Sequence, residues 1–126
     1  ATIVIIGDTN LAGNAVITVY GGATDAAETA AITFTYRYAG GNVAAASSDV
    51  YGAAATSAAL TTTATSMDLR STLIEFDAAD LNVSGTQYRY VTVVVSAAGT
   101  AGTCSIIAIL SEPRYSEAVM DTANPA

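Results

Sequence analysis

Glu75, Asp77 and Asp80 lie close together in the chain and come nearest, by type and spacing, to supporting chemistry. Carboxylates clustered in a loop suit Ca2+, which takes about six to eight oxygen ligands. The segment lacks the central glycine and the longer ladder of ligands that an EF-hand uses, so it reads better as a solvated strand end. Paired acids also serve glycoside hydrolysis, but they need a fixed separation in an aromatic-lined cleft. This chain has no Trp and few acids inside its strand-like runs.

Cys104 is the only thiol, and no His is present to act as its base. Within the apolar run Cys104-Ser105-Ile106-Ile107-Ala108-Ile109-Leu110 it reads as a small packing residue. Lys is also missing, so neither Ser nor Thr has a basic partner, and no phosphate loop or paired-cysteine motif occurs. Asn82-Val83-Ser84 matches the N-glycosylation triplet by chance. The expectation is a protein that is not an enzyme, with no catalytic residues, no metal ligands and no cofactor.

Charge narrows the partners. Eleven acids oppose four bases for a formal net charge of −7, and the bases are Arg37, Arg70, Arg89 and Arg114. Duplex binding depends on cations that release condensed counterions, so nucleic acid and anionic membrane are disfavoured. Charged residues make up 12% of the chain, against about 25% in ordinary domains. Ala, Thr, Ser and Gly must therefore cover much of the surface. The N-terminal run Thr2 to Ile6 has no basic flank and reads as a strand rather than a signal peptide. No stretch approaches the roughly 20 apolar residues that span a bilayer.

These side chains must be positioned by strands. In Ala31 to Tyr38, Ile32, Phe34, Tyr36 and Tyr38 fall on one face and Thr33, Thr35 and Arg37 on the other, the alternation of a half-buried antiparallel strand. Thr2 to Ile6, Asn14 to Tyr20, Thr72 to Phe76, Thr86 to Ser96 and Gly102 to Leu110 are also rich in β-branched or aromatic residues. Weaker candidates are Asp49 to Ala54 and Leu60 to Thr65. Turn formers separate them, including Gly21-Gly22, Gly40-Gly41-Asn42 and Ser84-Gly85. Ala23 to Ala30 suits a turn or two of helix capped by Thr24 or Asp25, and Asp77 to Leu81 a single turn. The fold predicted is all-β: one antiparallel β-sandwich, of jelly-roll or immunoglobulin-like type, with about six to eight strands.

A single folded domain with a C-terminal arm is expected. Residues 1–111 form the sandwich, and 112–126, which holds both prolines and no alternation, forms an extended C-terminal arm. Sheet proteins guard their edges with Lys, Pro or charge. Here Lys is absent and Pro is confined to the tail, so another surface must cover the edges, as in a subunit of an assembly. The expected interface residues are Arg37 and Arg89, for ion pairs across an interface, with Arg114, Tyr115, Val119 and Met120 for an arm contact. Tyr36-Arg37-Tyr38 and Tyr88-Arg89-Tyr90 each set two tyrosines on one strand face and an arginine on the other.

Tyr88-Arg89-Tyr90-Val91-Thr92-Val93-Val94-Val95, the Ala98-Gly99-Thr100 turn and the final apolar strand Cys104 to Leu110 resemble a pattern in small virion proteins of tailed bacteriophages. Leu73-Ile74-Glu75-Phe76-Asp77-Ala78-Ala79-Asp80-Leu81 and Leu110-Ser111-Glu112-Pro113-Arg114-Tyr115 are similar to that family's strand with acidic turn and its exit from the last strand. The resemblance implies a capsid decoration, or cement, protein or minor head protein. Such a protein is made in the host cytoplasm and carried on the outer capsid surface of the virion. Its implied partners are the major capsid protein and sister copies, often as a homotrimer. A host-attachment or glycan-binding sandwich displayed on a virion or cell surface is the alternative, and a pilus or surface-layer subunit is a third.

Overall fold

Strand-forming runs pair across the chain into two layers whose facing sides carry the alternate apolar residues. In this computed structural model the described residues are 1–7, 13–40, 50–63, 67, 69–99 and 103–111, with the backbone alone at 13 and 97–99. Their strands, in chain order, are β1 (Thr2–Gly7), β2 (Gly13–Gly22), β3 (Ala30–Ala31), β4 (Phe34–Tyr38), β5 (Ala55–Ser57), β6 (Leu60–Thr62), β7 (Ser71–Glu75), β8 (Asn82–Val83), β9 (Thr86–Gln87), β10 (Tyr90–Gly99) and β11 (Cys104–Ile109). One sheet has the order β11-β1-β7-β4-β5. In the other, β2 lies between β10 on one side and β3 and β6 on the other, while β8 and β9 form a separate hairpin. Every pairing among these strands is antiparallel. The chain is an all-β, sandwich-like protein, open along one flank.

Alternation decides what is inside. β1 buries Ile3 and Ile5, β2 buries Ala15, Ile17 and Val19, and β7 buries Ile74; Phe34, Ile32, Leu60 and Met67 complete the core. Register then brings matching faces together, with Ile3 opposite Ile74 and Ile5 opposite Thr72. The Thr62 hydroxyl donates to the Ala15 carbonyl at 3.1 Å in the interior, so the polar atom of a buried threonine is satisfied.

Several expected elements differ. The run Ala31 to Tyr38 is not one strand: Ala30–Ala31 pairs with β2, Phe34–Tyr38 pairs with β7, and the chain changes sheet between them. The Ile32 amide makes the last rung to the Val19 carbonyl at 2.9 Å. Ile32 and Phe34 are then buried as the chain crosses between layers, which preserves the alternation across a break. The run Thr86 to Ser96 is also split. Thr86–Gln87 closes a hairpin whose turn places Ser84 at φ 52° and Gly85 at φ 80°, the pattern of a type I′ turn.

Asp49 to Ala54 is not a strand in its described part. Only the Ala39–Tyr51 bridge forms there, and β4 takes Ala55–Ser57 as its neighbour. Ala23 to Ala30 makes a turn rather than a helix; Ala27 donates to the Thr24 carbonyl and Ala26 sits at φ 58°, which a right-handed helix cannot continue through. Strands β3, β5, β8 and β9, each of two or three residues, carry the total past the expected six to eight because they are too short to show a period, whereas β6 falls within the expected run Leu60 to Thr65.

Candidate functional site: an open sheet edge

Hydrogen-bond parity shows which backbone groups the final strand leaves unused. Gly7 donates to the Arg70 carbonyl at 3.1 Å and Phe76 to the Ala1 carbonyl at 3.2 Å. Odd-numbered residues of β1 therefore turn their N–H and C=O groups toward β7, and Thr2, Val4 and Ile6 turn theirs toward β11. These three stand opposite Ile109, Ile107 and Ser105. Ser105, Ile107 and Ile109 thus spend their backbone groups on β1, while Cys104, Ile106 and Ala108 direct theirs outward. Among the described residues no strand pairs with that side of β11.

The same strand is unusually apolar for an edge. Ile106, Ile107 and Ile109 are 45%, 51% and 52% exposed and Leu110 is 83% exposed. No charged residue occurs between Thr103 and Ser111. Scattered surface leucines are ordinary, but a contiguous apolar strand with free amides and carbonyls is a template for pairing.

Across the gap lies β10, the edge of the opposite sheet, with Tyr90 and Val91 exposed. Ile32 bonding to Val19 turns the odd-numbered residues of β2 toward β3, so by the same parity Val91, Val93 and Val95 face their amides and carbonyls away from β2. Val93 and Val95 pack on the core. Val91 and Leu110 meet at one end of the flank, where with Phe76 and Leu81 they line a pocket of about 270 Å³. The remaining edge strands β3, β5 and β6 are only two or three residues long. Short edges offer little to pair with.

The expected interface residues fall in different places. Arg37 projects from β4, where its Nε lies 3.9 Å from Glu75 Oε2 on β7 and its Nη1 donates to the Gly52 carbonyl at 3.4 Å. Its partner in this structure is thus a cross-strand neighbour in the same chain. Arg89 is exposed just before β10, with no ion pair among the described residues. Arg114, Tyr115, Val119 and Met120 lie outside the described residues. Tyr88 and Tyr90 do not repeat the Tyr36–Tyr38 arrangement. Tyr36 and Tyr38 share a face at 5.4 Å between ring centroids, edge to face, whereas Tyr88 precedes β10 and covers Gly21.

The acidic cluster is occupied by its own backbone. Asp77 Oδ1 accepts from the Ala79 and Asp80 amides at 2.7 and 3.3 Å, and Asp80 Oδ2 accepts from the Asp77 amide at 2.8 Å. With Glu75 beside Arg37, these side chains cap a turn. Among the described residues no group of three or more potential ligands is placed to hold a metal ion. Cys104 is half-buried, packed against the core.

The flank residues Tyr90, Val91, Ile106, Ile107, Ile109 and Leu110 are the ones that reading the sequence did not single out. Their signal was the adjacent pair Ile106-Ile107, which breaks alternation. Apolar residues on both faces usually mark a strand covered on both sides, and only the sheet order shows that β11 has no outer neighbour among the described residues. Comparison with protein-family models, curated proteins and solved structures finds no match.

Proposed function

We propose that this chain is a non-enzymatic structural protein of a virion, a decoration or cement protein that binds the outer surface of a phage head and stabilises it. The observation that carries this reading is the open flank, where two long strand edges and a charge-free apolar strip lie together. A strand of capsid protein added along the β10 edge would gain main-chain hydrogen bonds from the outward amides and carbonyls of Val91, Val93 and Val95 and specificity from alternate side chains. Many weak copies bound across capsomer boundaries then act together, because each contact raises the effective concentration of the next. The acidic surface suits an exterior position, away from packaged nucleic acid. Arg89, which makes no ion pair among the described residues, would meet a carboxylate of the shell or of a sister copy.

The glycan-binding alternative has less to draw on. Tyr36 and Tyr38 are half-buried against the core and meet edge to face, so this pair offers no flat stacked platform for a sugar face.

Particles assembled with and without the chain test the proposal. Shells carrying it are expected to resist heating or osmotic shock that bursts bare shells; equal resistance, or no binding to shells at all, removes the cement role.

A further inference from the structure

We infer that β11 is a self-association edge: two copies of this chain pair through it, antiparallel, about a twofold axis perpendicular to the sheet. The inference rests on the reading of the chain as an assembly subunit and names the contact between sister copies. Three features of the strand argue for a second copy as the occupant.

The first is charge. A protein of net charge −7 repels itself over most of its surface, and a contact between copies is least opposed where neither brings a carboxylate. Residues 103–111 and their neighbour β1 carry no charged side chain, whereas the far part of this sheet holds Glu75 and Arg37.

The second is self-complementarity. Strands that pair about such an axis keep each face continuous, so a residue must stand opposite one on the same face. With Ala108 on the axis, Ala108 faces Ala108 of the second copy, Ile107 faces Ile109, and Ile106 faces Leu110. Every large exposed apolar residue of the strand then meets another across the junction, and Ser105 meets Ser111. Shifting the centre to Ile107 would instead set Ile109 against Ser105 and Ile106 against Ala108.

The third is backbone parity. Ile106 and Ala108 are residues whose N–H and C=O groups point outward, so Ala108 and its symmetry mate can exchange both bonds at the centre, with Ile106 and Leu110 forming the next rungs. The joined sheet would hold ten strands, five from each copy, a size that twisted open sheets sustain at up to roughly ten strands.

Sedimentation of the purified chain is expected to give twice the 12.6 kDa chain mass, and Ile107→Lys or Ile109→Lys is expected to return it to the monomer with an unchanged β circular-dichroism spectrum. In a Cys104→Ser background, Ala108→Cys is expected to form a disulfide dimer under mild oxidation, because facing residues of a hydrogen-bonded pair sit about 5.5 Å apart at Cα. Ser105→Cys in the same background is expected to stay unlinked, since its opposite residue is Ser111. A monomer at all concentrations, a trimer, a dimer that survives both lysine variants, or equal crosslinking at 105 and 108 overturns the inference. A dimer that ignores every shell offered to it would leave this contact standing and remove the decoration role. A monomer that still binds shells would do the reverse.

Discussion

Val91 in β10 and Leu110, one residue past β11, line a single pocket although their strands belong to opposite sheets. The two edges therefore converge at one end of the flank, and a docking partner that reaches one of them reaches the other. Leu110→Asp places a charge at a site that is largely exposed in the free chain, so folding stability is expected to change by no more than about 0.5 kcal/mol. Binding to empty shells is expected to weaken by about 1 kcal/mol or more. Co-sedimentation with shells, paired with a denaturant titration, separates these effects; unchanged binding would place the docking surface elsewhere.

Thr72 supplies a test of the interior. It is fully buried on β7, opposite Ile5 on one side and Tyr38 on the other, and its hydroxyl has no hydrogen-bond partner among the described residues. An unmade hydrogen bond in the core costs free energy that a methyl group of the same shape does not. Thr72→Val is expected to raise unfolding stability by about 1 kcal/mol, read from the urea midpoint at unchanged slope. A loss of stability would reveal a partner for that hydroxyl.

Gly21 marks a close approach. A Cβ there would lie 2.9 Å from Tyr88 Cδ2 and 3.0 Å from Tyr88 Cβ and Cγ. Tyr88 Cβ is fixed by the backbone, so a change of rotamer cannot clear it and the chain before β10 must move off β2. Gly21→Ala is expected to destabilise the fold by roughly 1–3 kcal/mol. Tyr88→Ala, combined with it, should recover part of that loss, and strict additivity of the two changes would show that they do not meet.

The Arg37–Glu75 pair joins β4 to β7 at the surface, with side chains 40% and 46% exposed. Pairs of this kind contribute about 0.2–1 kcal/mol and are screened by salt. Glu75→Gln is expected to cost no more than that at low ionic strength and to become neutral near 1 M NaCl. A larger, salt-insensitive loss would mean that Glu75 does more than meet Arg37.

Much of the architecture was legible along the chain. β-Branched runs, glycine-rich corners and the period-two pattern at Ile32, Phe34, Tyr36 and Tyr38 point to antiparallel strands, and the buried residues follow that pattern. The lack of His and Lys and the lone thiol could be read directly, because folding cannot supply a missing side chain, and they are the ground for the expectation of no catalytic role. The acidic turn was also readable, since Asp77 and Asp80 bond to amides within three residues.

Tertiary structure decided everything that depends on neighbours. Period-two alternation states which side chains share a face but not which sheet they face, so the break at Ile32 and Thr33 became visible only when Ala30–Ala31 paired with β2 and Phe34–Tyr38 with β7. Edge status is likewise a property of strand order. Ile106 and Ile107 would read the same in a central strand, and what distinguishes them is that β11 has β1 on one side and, among the described residues, no strand on the other. Side-chain period is local, whereas the hydrogen-bond partner of a strand is set by residues about a hundred positions away, here Thr2 to Gly7 against Cys104 to Ile109.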